Sequence, residues 1–150
     1  MKIRADEHVS PRILRALELL VVRDDWELSH VREFHAARTS DETWIPRFAS
    51  EGGRVLLSGD ASMLRRPNEL KAILESRVVV VVMPPPWQNA KRHEQAAALI
   101  WHWPAIQAAL PTAKDGDCWR VPFAFGKNVT IEKVPVNYAK AVQSAGKKGA

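Results

Sequence analysis

Three aspartates in the first half of the chain carry its strongest chemical signal. Asp6 ends the short run Lys2-Ile3-Arg4-Ala5, Asp60 ends the clearer strand Val55-Leu56-Leu57-Ser58-Gly59, and Asp41 opens a helix between them. In an open α/β sheet, ligands bind in the crevice beyond the carboxyl ends of the strands. Acids converging there repel: two unit charges 4 Å apart cost roughly 4 kcal/mol at an effective dielectric of 20. A cation relieves that repulsion, and carboxylate oxygens suit the hard ions Mg²⁺ or Mn²⁺. Such an ion acidifies a water, holds a scissile phosphate and stabilises the leaving oxygen, which is what phosphodiester hydrolysis requires.

Each acid also has a local explanation. Asp41 and Glu42 fall in the first turn of a helix, where the macrodipole favours negative charge. Thr39-Ser40-Asp41-Glu42 reads as a capping box, with Thr39 as cap and Glu42 reaching back to it. Asp60 after Gly59 could be a turn residue. Spacing alone leaves both explanations open.

The elements that must position these residues follow from periodicity. Ser10 caps and Pro11 opens a helix over residues 10–22, with Ile13, Leu14, Leu17, Leu20 and Val21 on one stripe. A short strand is expected over residues 28–32. A second helix over residues 40–51 buries Trp44, Ile45, Phe48 and Ala49 and stops at Gly52-Gly53. After the strand of residues 54–58, Pro67 opens a third helix with Leu70, Ile73 and Leu74 on its apolar face. Val78 to Val82 is an unbroken valine run, the mark of a strand covered on both faces. This alternation predicts a doubly wound α/β fold. Met83-Pro84-Pro85-Pro86-Trp87 makes a stiff connection, and residues 89–110 form a helix that Pro104 should kink or split. Trp119, Val121, Phe123 and Phe125 alternate with Arg120, Pro122 and Ala124, then Gly126-Lys127-Asn128 precedes Val129, Ile131 and Lys133. That pattern predicts a hairpin that extends the sheet edge or forms a partner surface. The small, basic end is expected to be disordered.

Composition narrows the chemistry further. The chain has 150 residues, 22 Lys+Arg against 17 Asp+Glu, and a net charge of +5, with a pI near 9.7. That excess favours a polyanionic partner. A single cysteine, Cys118, excludes an internal disulfide and fits a reducing cytoplasm. No basic-then-apolar leader opens the chain, and no apolar run approaches the ~20 residues that span a bilayer. A soluble, cytoplasmic protein that engages no membrane is therefore expected. The five histidines show no i, i+4 pair and have no cysteine companions, so zinc is not expected. No Gly-x-Ser-x-Gly elbow and no phosphate-cradling glycine loop is present. Arg12 and Arg15 follow the first acid and Arg65-Arg66 the third, where they could hold RNA phosphates or simply be solvated helix and loop charges.

The segments Lys2 to Pro11 and Ser40 to Ile45, followed by Gly52 to Asp60, together resemble the PIN-like nucleases, in particular the compact group found among VapC-type toxins. There a first strand ends in Asp-Glu before a Pro-containing helix start, a helix opens with Asp-Glu, and a later strand ends in Thr/Ser-x-Asp. The resemblance covers residues 2 to about 82. It implies a three-layer α/β/α fold around a mostly parallel sheet, with residues 1–111 as the nuclease domain; residues 112–137, its hairpin extension, and 138–150, a basic disordered tail, lie beyond the resemblance and are read from pattern and composition alone. It further implies Asp6, Asp41 and Asp60 as the Mg²⁺ or Mn²⁺ site and Ser58 as the hydroxyl beside it, with Glu7 and Glu42 as secondary candidates. The expected activity is endoribonucleolytic, as the toxin of a toxin–antitoxin pair. Expected partners are an RNA substrate, an antitoxin protein and a second copy of the chain in a homodimer.

Where the family commonly shows a further Asp and an aromatic, this chain has Ser62 and Met63. That departure motivates a second reading, a PIN-like module that holds RNA or protein without cutting. A third is a receiver-like phosphoacceptor domain, since Asp6-Glu7 and Asp60 also follow first and third strands there.

Overall fold

The structure, a computed structural model, describes residues 1–149. Six strands form one sheet, β1 (Lys2–Ala5), β2 (Glu27–His30), β3 (Val55–Ser58), β4 (Val79–Val82), β5 (Cys118–Arg120) and β6 (Glu132–Val134), in the spatial order β2-β1-β3-β4-β5-β6. Every neighbouring pair is parallel except β5–β6. The fold is thus the expected α/β class with a mostly parallel sheet.

Valine density explains why β4 lies inside. Its four residues are all β-branched, which suits a pleated surface, and none exceeds 1% exposure. Alternate residues of the central strands face opposite layers. Ile3, Ala5, Val55, Leu57, Val79 and Val81 meet helices α1 (Pro11–Leu20) and α5 (Arg92–Ala109). Leu56, Val80 and Val82 meet α2 (Asp41–Ser50) and α3 (Pro67–Ser76). These two apolar layers fix which helices flank which side of the carboxyl edge.

Local signals set the helix ends. Ser10 Oγ accepts from the Arg12 N–H, and Pro11 occupies the first turn of α1, as predicted. Leu20, placed on the buried stripe by periodicity, is instead 68% exposed beside an equally exposed Leu19. The helix ends there, so the last turn projects past its partner. Leu74 is likewise half turned to solvent. The capping box expected at α2 is not formed. Ser40, not Thr39, is the N-cap, with Ser40 Oγ and Thr43 Oγ1 hydrogen-bonded to each other at 2.8 Å. Thr39 Oγ1 donates to Ala36 O instead, and Glu42 is exposed. The shift of one residue puts Thr43 where the box needs a Glu or Gln.

The segment after β4 also departs from expectation. Its prolines start a short helix, α4 (Pro85–Gln88), and α5 runs through Pro104 without a break. The predicted tight hairpin is a wider connection. β5 ends at Arg120 because Pro122 has no N–H to continue the ladder, and residues 121–131 intervene before β6. β5 pairs parallel with β4 on its other side, so the hairpin extends the sheet. The basic segment expected to be disordered forms α6 (Tyr138–Gly149), which packs beside α3; Ala150 lies outside the described residues. Good helix formers dominate it, Asn137 Oδ1 accepts from the Lys140 N–H at its start, and Ala141 is buried. No helix among the described residues is long and apolar enough to cross a membrane.

Candidate active site at the carboxyl edge of the sheet

β1 and β3 are hydrogen-bonded neighbours, so the residues that follow them, Asp6 and Asp60, share one edge. The Asp6 N–H donates to Leu57 O at 3.0 Å, which continues the ladder one residue beyond β1. Asp6 is 4% exposed and almost fully partnered. Ser58 Oγ donates to its Oδ2, while the His8 and Gly59 N–H groups donate to its Oδ1 at 3.0 and 3.2 Å. Burial nevertheless outweighs these donors and raises the Asp6 carboxyl to about 6, with Asp41 adding like-charge repulsion.

Asp60 is the opposite case. Burial acts to raise it, but Ser62 and Arg66 outweigh burial and hold it below the usual carboxylate range. Its Oδ1 accepts from the Ser62 N–H at 3.0 Å and from Ser62 Oγ at 2.5 Å, and its Oδ2 from Arg66 at 2.7 Å. His8 Nε2 stands 3.8 Å from Asp60 Oδ2. Ser62, a departure from the family pattern, thus fixes the rotamer of Asp60.

Asp41 completes the group from the start of α2. Its Oδ1 accepts from Trp44 Nε1 at 2.8 Å, and burial raises its pKa. A fourth acid, Glu69, joins from the first turn of α3. Burial raises it too, with Asp41 and Asp60 close enough to push in the same direction. Periodicity gave no hint of Glu69, because an acid in a first turn is already explained by the macrodipole. The usable signal was Arg66 three residues earlier, whose guanidinium bridges Asp60 and Glu69.

The remaining predicted residues fall on either side. Ser58 is buried and directly on Asp6. Glu7 turns away to accept from the Arg38 N–H at 2.7 Å, with Arg32 at 3.9 Å, and so anchors the segment before α2. Glu42 has no hydrogen bond or ion pair among the described residues and faces solvent. Arg66 lies on the acids, Arg65 and Arg15 are exposed, and Arg12 opens toward α5.

Two positioning residues escaped sequence reasoning. His30 is buried at the end of β2, with Nδ1 accepting from the Arg32 N–H. Its Nε2 is therefore the donor to Val9 O at 2.9 Å, which pins the loop carrying Asp6 and His8. Trp87 is fully buried in α4; its Nε1 donates to Gln95 O, and Gln95 Nε2 donates back to Trp87 O. A Cβ on Gly59 would come within 2.8 Å of the Trp87 ring and 2.7 Å of His8 Cβ. Glycine between Ser58 and Asp60 is what lets these three elements close on one another.

The donor set suits a hard cation: four carboxyl groups interact at one edge, with the Arg66 guanidinium and the His8 imidazole among them. The positive charge at this edge is that of Arg66, ion-paired with Asp60 and Glu69. Among the described residues, no three His, Cys, Asp or Glu side chains are gathered closely enough to hold a metal. Ligation would require the Arg66 guanidinium to turn out and the carboxylates to turn in, by side-chain rotation alone for the half-exposed Arg66.

The family model described as a PIN like domain matches residues 1–84, and the chain belongs to that family. Nuclease activity is common in it and divalent metals are generally used. All four acids and Arg66 lie inside the matched segment. No curated protein and no solved structure matches the chain.

Proposed function

We propose that the chain is a metal-dependent endoribonuclease, acting as the toxin of a VapC-type toxin–antitoxin pair in the cytoplasm. The observation that carries this reading is the pairing of β1 with β3, which brings the residues following them, Asp6 and Asp60, to one edge, with Ser58 hydrogen-bonded to the Asp6 carboxyl and to the Asp60 backbone. Asp6, Asp41 and Asp60 would hold Mg²⁺ or Mn²⁺, with Glu69 as a further ligand. The ion would supply charge neutralisation at the phosphodiester and an acidified water. The protein's own groups do the rest. Ser58 orients Asp6, Ser62 orients Asp60, and His8, more than half exposed beside Asp60, reaches the scissile phosphate or the leaving oxygen.

The test is cleavage of single-stranded RNA by the purified chain in Mn²⁺, with EDTA and Asp60→Asn as controls. Cleavage that survives either control overturns the mechanism. Induction of the chain in a bacterial host should arrest growth, and Asp60→Asn should not. One observation favours a second reading, a module that binds without cutting: Arg66 already neutralises Asp60 and Glu69. RNA binding without cleavage in Mn²⁺ would establish it. The receiver-like alternative is disfavoured by the match of residues 1–84 to the PIN like domain.

A further inference from the structure

We propose that an open cleft between the N-terminal ends of α1 and α5 seats the backbone of the RNA strand beside the bond being cut. The inference rests on the ribonuclease reading and extends it to residues outside the family-matched segment. The cleft has a volume of about 390 Å³ and is lined by Arg12, Ile13, Arg92, His93 and Ala96, a size suited to a nucleotide-sized ligand.

Its placement follows from topology. α1 leaves the carboxyl end of β1 just after Asp6, and α5 follows the carboxyl end of β4, so both helices begin at the edge that carries the acids. Trp87 joins the two places. Its ring packs on Gly59, which also abuts His8, and its backbone and indole are tied to Gln95, next to Ala96 in the cleft wall.

The chemistry is that of phosphate recognition. Arg12 and Arg92 are exposed, and neither forms an ion pair among the described residues, in contrast to Arg66. Guanidinium forks match phosphate oxygens two at a time, and the positive ends of two helix dipoles add to their field. Ala96 gives the cleft a small apolar surface on which a ribose or base face can rest, with Ile13 buried beneath it and His93 at its rim. A strand lying there would enter the acidic edge past His8.

Fluorescence anisotropy with a labelled single-stranded RNA, in EDTA and over a salt series, tests the assignment. Arg12→Ala and Arg92→Ala should each weaken binding several-fold and flatten the slope of log affinity against log salt by about 0.7. The double variant should lose about 1.4 from the slope, while Arg92→Lys and Arg47→Ala, on the far end of α2, should leave the slope as it is. Both arginines are exposed, so melting curves should match the unmodified chain. Unchanged RNA affinity in the double variant would overturn the cleft while the ribonuclease reading stands on the Asp60→Asn result. Failure of the unmodified chain to bind or cut RNA would overturn both.

Discussion

On the α2–α3 side of the carboxyl edge, Asp6, Asp41, Asp60 and Glu69 are held by internal donors, and Arg66 is consumed in neutralising them. On the α1–α5 side, Arg12 and Arg92 border open space with no acid upon them. One edge of one sheet therefore presents a closed, over-negative half and an open, positive half, with Gly59, His8 and Trp87 packed along the seam. Under the proposed reading the difference separates two tasks: chemistry needs groups fixed in place before substrate arrives, whereas holding a flexible polyanion needs charge that remains available.

The largest expected effect tests that division directly. Asp6→Asn and Asp60→Asn should each lower kcat on RNA by about 100-fold or more, since even partners of metal ligands cost 10- to 100-fold, with KM little changed. Arg92→Ala should raise KM with kcat held. Steady-state kinetics in Mn²⁺ that showed the reverse pattern would break the comparison.

The seam is next. Gly59→Ala forces a Cβ into His8 and Trp87 at 2.7–2.8 Å, and overpacking of that kind costs about 1–3 kcal/mol. Urea denaturation should show the loss. An unchanged midpoint would mean that the two halves are not mechanically joined at this point.

The closed half should also carry a pH signature. In the folded chain Asp6 keeps its proton up to about pH 6, against 3.8 for the free side chain. Between those values the folded state binds more protons than the unfolded one, so stability falls as pH rises. The contribution is complete below 3.8, is lost on passing about 6, and is constant thereafter. In EDTA, the stability difference between Asp6→Asn and the unmodified chain should therefore move in the variant's favour across this window, by up to about 3 kcal/mol. Parallel stability profiles for the two proteins would show that Asp6 is not held protonated by burial.

Smaller effects sharpen the roles of Arg66 and Glu42. Arg66→Ala leaves Asp60 and Glu69 without their internal cation, so Mn²⁺ should raise its melting temperature by a few degrees more than it raises that of the unmodified chain. An equal rise would mean that Arg66 does not occupy the ion's place. Glu42→Ala should change stability by no more than about 0.5 kcal/mol and leave cleavage intact, because Glu42 faces solvent. Loss of cleavage would place Glu42, rather than Asp41, among the acids.

Much of the closed half was legible in the sequence because its signals are local. The valine run, the Ser10-Pro11 helix start and the acids at strand ends each require only neighbours along the chain. Glu69 was hidden because a first-turn acid already has a local explanation. The misplaced Thr39 cap shows the same limit: two adjacent hydroxyl residues both suit the motif, and only the path of the backbone selects Ser40. The open half was largely illegible. Arg92 and Arg12 are far apart in sequence, and only the packing of α1 against α5 makes them one feature. Trp87 gives no signal of its role along the chain, because its partner Gly59 follows β3, far away in sequence. The helical end was misread because its small, basic composition conceals the Ala141 contact that orders it.

The strand order has a consequence in time as well as in space. β1 is flanked by β2 and β3, and each parallel neighbour is reached only after a helix has been laid across the sheet. The single antiparallel pair, β5–β6, lies at the far edge and contributes nothing to the acids. Pairings that close long loops are slow to form. Asp6 and Asp60 therefore meet only when β3 docks on β1, and Trp87 can lock them only after β4 has been added. A chain made only as far as β3 lacks β4 and Trp87, so the acidic edge is complete only after β4 and α4 have joined the sheet.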